Sequence, residues 1–184
     1  MDNTKKSRKK LRLSEYDYAQ SGAYFVTVLV RNRKHLVGKI SREEIILSKE
    51  GQIAQSVWDE LPGHFPNIDL DEFIVMPNHI LGIIWIKERI DTIDNVRSQH
   101  AATLQKKPRR PAPGSMGAIV RSYKSAATKQ INLLRSSPGA AFWHRSFYDH
   151  VIRDDVDRFQ HRKYIQENPL KWELDAYYRQ EKTS

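Results

Sequence analysis

Asp71-Glu72-Phe73-Ile74-Val75-Met76-Pro77-Asn78-His79-Ile80-Leu81-Gly82-Ile83-Ile84-Trp85-Ile86 is the longest apolar run in a strongly polar chain, and it carries one imidazole near its middle. β-Branched and aromatic side chains on both sides of Pro77-Asn78 predict two strands joined by a very short turn. Side chains alternate across a strand, so His79, Leu81, Ile83 and Trp85 are expected on one face and Ile80, Gly82, Ile84 and Ile86 on the other. The face with the histidine is the candidate functional face.

Upstream, Tyr24-Phe25-Val26-Thr27-Val28-Leu29-Val30 predicts the first core strand, entered through Ser21-Gly22-Ala23 and left through the basic residues Arg31 to His35. Ile45-Ile46-Leu47 reads as a short strand. Ser48 can cap a helix on which Ile53, Val57 and Leu61 form one apolar stripe, with Pro62-Gly63 as its stop. Downstream, Ser115 opens a long helix with Met116, Ile119, Tyr123, Ala127, Ile131 and Leu134 at helical spacing. Arg121 and Lys124 lie off that stripe, where they either meet solvent or contact a phosphate backbone. Ser137-Pro138-Gly139 breaks this helix, and Phe142-Trp143 to Ile152 gives the last strand. Asp154 and Asp155 then start a helix that runs to Asn168 and is closed by Pro169.

The chain has 184 residues, enough for one domain with a real core but not for two. We expect a flexible basic arm over 1–14, a single domain over 15–176 with a mobile basic insertion at 87–114, and a tail at 177–184. Lys9 and Arg12 in the arm are candidate DNA-binding residues, although such a segment also serves simply as a solvated tail. The insertion carries Lys106, Lys107, Arg109 and Arg110 among three prolines, a charge suited to a nucleic-acid backbone. A formal net charge of +9 makes a polyanion the natural partner, with nucleic acid ahead of a membrane surface. No cysteine is present, which excludes disulfides and cysteine-ligated zinc. Neither a signal peptide nor an apolar run of ~18 residues is found, so a cytoplasmic location is expected.

Tyr164 and Asn168 stand four apart in Lys163-Tyr164-Ile165-Gln166-Glu167-Asn168-Pro169 and therefore share a helical face, where a phenol and a carboxamide can act on one phosphate and one cation. Together with Met76-Pro77-Asn78-His79, Gly22 to Thr27, Gly117-Ala118-Ile119-Val120-Arg121 and Tyr148-Asp149-His150-Val151-Ile152-Arg153, this motif resembles the single-tyrosine HUH transposases, most closely their REP-associated tyrosine transposase branch. The resemblance covers nearly the whole chain apart from the termini and the insertion. It implies an α+β, ferredoxin-like βαββαβ antiparallel sheet with helices on one face, plus a C-terminal helix that brings the tyrosine to the metal face. It further implies Tyr164 as nucleophile, His79 and Asn168 as ligands of Mg2+ or Mn2+, and cleavage of single-stranded DNA beside a hairpin through a 5′-phosphotyrosine.

The family's pattern has a second histidine where this chain has Leu81, which offers no lone pair. Weak metal binding and reduced or absent cleavage are expected, because even the loss of supporting groups typically costs ~10–100-fold. His150 and Glu167 are candidates to fill the gap. The alternative is a hairpin-binding protein with the transposase fold that does not cut, acting as a monomer or homodimer. An RNA-recognition module fits less well, since its aromatic-glycine strand signature is missing.

Overall fold

A computed structural model describes residues 20–88, 111–175 and 177–178. Lys9, Arg12 and the rest of the basic arm, together with 89–110 of the insertion, lie outside the described residues. Among the described residues, six strands and four α-helices follow in the order β1 (Gly22–Leu29), β2 (Gly38–Ser41), β3 (Glu44–Leu47), α1 (Lys49–Asp59), α2 (Leu61–His64), β4 (Ile68–Met76), β5 (His79–Ile86), α3 (Met116–Leu134), β6 (Tyr148–Ile152) and α4 (Asp155–Glu167). The main sheet runs β4-β5-β1-β6, and every adjacent pair is antiparallel. With α1 connecting β1 to β4 and α3 connecting β5 to β6, this is the ferredoxin-like order.

The opening stretch folds as expected. Met76 pairs with His79 across the Pro77-Asn78 turn, so β4 and β5 form a hairpin. Its two faces enter separate cores. Ile80, Ile84 and Ile86 pack with α1 and α3 through Ala54, Val57, Trp58, Ile119 and Tyr123, whereas Leu81 and Ile83 pack with Ala23, Ile152 and Ile165 of α4. Tyr123 donates to the Ala54 carbonyl at 3.1 Å, satisfying a buried hydroxyl and tying α3 to α1. Gly82 leaves room for Trp58, which stacks on Phe73 at 4.4 Å.

Capping agrees with the residue types. Ser48 accepts from Gly51, Ser115 from Ala118 and Asp154 from Asp157. Four details differ from the sequence reading. Pro62 does not end helical structure but sits in the first turn of α2, where its missing N–H costs no hydrogen bond. Ile45-Ile46-Leu47 belongs to a small hairpin with Gly38–Ser41, turned by Arg42 and Glu43 at positive φ. The last strand is only Tyr148–Ile152, with Trp143 making an isolated bridge to Val30. Leu134 is exposed, because α3 has passed the packed region by its last residue. Among the described residues no helix is long and apolar enough to cross a membrane.

Candidate active site

Helix α4 lies on the sheet face opposite α1 and α3, over the row that includes His79 and Leu81. An irregularity in β4 between Leu70 and Phe73 aims two acids at it. Asp71 accepts from Arg162 Nε at 2.9 and 3.0 Å, and Glu72 accepts from Gln166 at 2.8 Å. Arg162 and Gln166 are one helical turn apart, so both clamps act on the same side of α4. Burial raises the Asp71 carboxyl, but Arg162 and the neighbouring hydrogen bonds outweigh it and hold the group below the usual carboxylate range. Buried Ile165 supplies the apolar anchor between the clamps.

With α4 fixed in this way, Tyr164 and Asn168 converge on a residue that the sequence did not single out. The Tyr164 hydroxyl donates to Asp175 Oδ2 at 2.9 Å, and Asn168 Nδ2 donates to the same oxygen at 3.0 Å. Asp175 follows a single 3-10 turn, Trp172–Leu174, that folds back beneath α4. A pocket of about 240 Å³ is lined by Tyr164, Glu167, Asn168, Lys171, Leu174 and Asp175.

His79 is fully buried next to this group. Its Nδ1 lies 2.8 Å from Asn78 Oδ1, while Asn78 Nδ2 donates to the Tyr177 carbonyl at 2.9 Å. The rings of Tyr177 and Trp172 pack on the imidazole at 5.1 and 6.0 Å. Tyr177 and Tyr178, assigned to the tail from sequence, thus pack against the domain. Burial pushes the imidazole pKa down to about 4, against an upward pull from the Asp175 charge, and Arg33 lowers it further. Burial also raises the Tyr164 phenol above its ordinary range, and the carboxylate of Asp175 raises it more. Both groups are therefore uncharged at neutral pH.

Two buried polar atoms here, His79 Nε2 and Asn168 Oδ1, have no hydrogen-bond partner among the described residues. Such atoms are costly unless something binds them. An imidazole nitrogen, a carboxamide oxygen and the Asp175 carboxylate are a donor set that fits a divalent cation. Leu81 sits wholly in the apolar cluster, and both residues suggested to replace the missing ligand have other partners. Glu167 is held by Lys171 at 2.6 Å, and His150 lies beside Asp157 at 2.8 Å. Arg121 and Lys124 stand on α3, across the sheet from Tyr164. Lys124 donates to the carbonyls of His144 at 2.6 Å and Arg145 at 3.1 Å, fixing the approach to β6.

The described residues thus place an imidazole at the start of a central strand of an antiparallel sheet, with a phenol and a carboxamide presented by a helix laid over the same face. No family model matches the chain. It is 35% identical over 171 residues, covering 93% of both chains, to a Haemophilus influenzae protein described only as uncharacterized. A second protein of that organism, provisionally named a REP-associated tyrosine transposase, is 24% identical over 161 residues, with 84% of this chain and 74% of the relative covered. A solved structure described as a REP-associated tyrosine transposase bound to a REP hairpin superposes with a TM-score of 0.57 at 22% identity, over 87% of this chain and 74% of the other. The chain is thus similar in sequence to a protein provisionally named a REP-associated tyrosine transposase, and it shares the fold of a solved member of that family.

Proposed function

We propose that this protein binds hairpin DNA and cleaves an adjoining single strand with Tyr164. The observation that carries this reading is the convergence of the Tyr164 hydroxyl and the Asn168 amide on Asp175, beside a buried imidazole whose Nε2 lacks a partner. Hairpin DNA as the ligand is supported by the relative of like fold that is described as bound to one. The Tyr164 oxygen would bond to a DNA phosphorus as the bond to the 3′ oxygen breaks. A 5′-phosphotyrosine and a 3′-hydroxyl result, the phenolic proton being accepted by Asp175, the hydrogen-bond partner of Tyr164, and delivered to the departing 3′ oxygen. Because the ester link is retained, a later 3′-hydroxyl can reverse the step. His79, Asn168 and Asp175 would hold Mg2+ or Mn2+, which when bound neutralises charge developing on the phosphate. Exposed Arg121 offers a phosphate contact outside the site.

A second reading is a hairpin-binding protein that does not cut. It is favoured by Leu81, whose side chain is committed to the apolar cluster, and by the phenol being kept protonated. One experiment separates the two. A hairpin oligonucleotide with a single-stranded flank is incubated with the protein and Mn2+, and the products are resolved under denaturing conditions. Cleavage gives a covalent adduct that Tyr164→Phe abolishes. Salt-dependent binding without adduct establishes the second reading. An adduct that survives Tyr164→Phe refutes the nucleophile.

A further inference from the structure

A second cluster of ligand-type side chains lies on the same sheet face, away from the tyrosine pocket. His150 of β6 places Nε2 2.8 Å from Asp157 Oδ2, and His161 of α4 places Nδ1 3.0 Å from Asp157 Oδ1. The two imidazoles stack at 4.6 Å with their planes 21° apart, and one donor atom from each of the three residues lies within 4.8 Å of the others. His161 Nδ1 also lies 2.9 Å from the Asp157 main-chain carbonyl, so closing a coordination shell, in which ligands ~2.1 Å from one ion stand ~3.0–3.4 Å apart, requires that ring to turn and give up this contact. The Arg153 N–H donates to Asp157 Oδ2 at 3.1 Å and steadies the carboxylate, while the Phe25 ring backs His161 at 4.6 Å.

The cluster is distinct from the His79 site. Along β1, which lies between β5 and β6, His79 faces Leu29 and His150 faces Phe25. Four residues along a strand and two strands across correspond to roughly 16 Å.

We propose that His150, Asp157 and His161 bind a borderline transition-metal ion of the Zn2+ or Co2+ class, clasping the start of α4 to the edge strand β6. Two imidazoles and one carboxylate select such ions over Mg2+, and water completes the shell. With neutral imidazoles the set carries one negative charge, so a divalent cation relieves the crowding of two stacked rings around one carboxylate. The clasp lies one helical turn before Tyr164, and Phe25 touches both His161 and Tyr164, the latter at 6.0 Å. Occupancy would therefore fix the register of the tyrosine helix on the sheet. This proposal stands whether or not the protein cuts DNA.

The test uses the full chain without DNA. Co2+ is titrated in while its visible d–d bands are recorded, and Zn2+ is then added as competitor. The expected result is imidazole-type Co2+ bands that Zn2+ erases, with the affinity that they report lowered ~10-fold or more in both His150→Gln and His161→Gln. Asn168→Ala should leave the bands in place, and Zn2+ should raise the melting temperature of the wild type but not of His161→Gln. Both glutamine variants are checked for native far-UV circular dichroism. No bands in the wild type, bands that survive both glutamine substitutions in folded protein, or bands lost in Asn168→Ala alone would each overturn the assignment. Bands without any Zn2+-dependent melting shift would overturn the clasp.

Discussion

Leu81→His restores the imidazole that the family pattern has two residues after His79, and the structure sets what that costs. Leu81 is fully buried among Ala23, Ile83, Ile152 and Ile165. Losing a buried leucine removes about 1.5–3 kcal/mol of apolar transfer energy. An imidazole in that wall also leaves a ring nitrogen without a partner, a further cost of about 1–3 kcal/mol. A net loss of about 3–5 kcal/mol is therefore expected without metal, which lowers the melting temperature by roughly 10 °C in a chain of this size. Metal should reverse part of it, because the new imidazole shares a face with His79. Saturation at ~100 times the dissociation constant returns about 2.7 kcal/mol. The assay is differential scanning calorimetry with and without Mn2+, run beside the hairpin adduct assay. The expected outcome is a destabilised apo variant, partly rescued by Mn2+, with more adduct than wild type. A large Mn2+-independent loss together with unchanged adduct yield would refute the idea that position 81 borders the metal.

Three other outcomes follow from the packing. In Gly82→Ala the new Cβ would lie 2.7 Å from Trp58 Cη2 and 3.0 Å from Phe73 Cδ2, so urea denaturation should register a loss of about 1–3 kcal/mol, and no loss would mean that the indole has room to move. Arg162→Ala strips Asp71 of its partner, with an expected cost of about 1–2 kcal/mol after discounting for the half-exposed guanidinium, and amide exchange should accelerate in α4 before it does in α3. His79, at about 4 when folded against ~6.5 unfolded, should make stability flat above pH 6.5 and falling between pH 6.5 and 4, by about 3 kcal/mol in total. The sign follows because the unfolded chain takes up the proton first. A His79 resonance titrating near 6.5 by NMR would contradict the burial argument.

The sequence revealed those elements whose signals are local. Alternation through Phe73 to Ile86 assigned both sheet faces, and the caps Ser48, Ser115 and Asp154 located three helix starts. Tyr164 and Asn168 were readable as a pair because four residues make one helical turn. Asp175 was not, since it reaches them through a 3-10 turn whose path depends on Trp172 docking beside His79. No spacing rule connects it to the phenol. Gly38–Ser41 was missed because Arg42 and Glu43 are not residues that ordinarily mark a turn with positive φ. Lys124 read as a cation meeting either solvent or a phosphate backbone, whereas its length lets it reach carbonyls of the segment before β6. Asp157 and His161 also stand four apart, but their third member comes from another element.

The irregularity in β4 bears on how α4 is mounted on the sheet. Leu70 pairs with Ile84 and Phe73 with Gly82, so three steps on one strand match two on its neighbour. Removing one of the two intervening residues would give an ordinary ladder with every inward side chain still inward. The sheet has no use for that surplus residue. What it provides is a pair of adjacent carboxylates pointing the same way, which a regular pleat forbids, and Arg162 and Gln166 are where they attach. A one-residue insertion is thus enough to convert a plain hairpin into a mount for a helix.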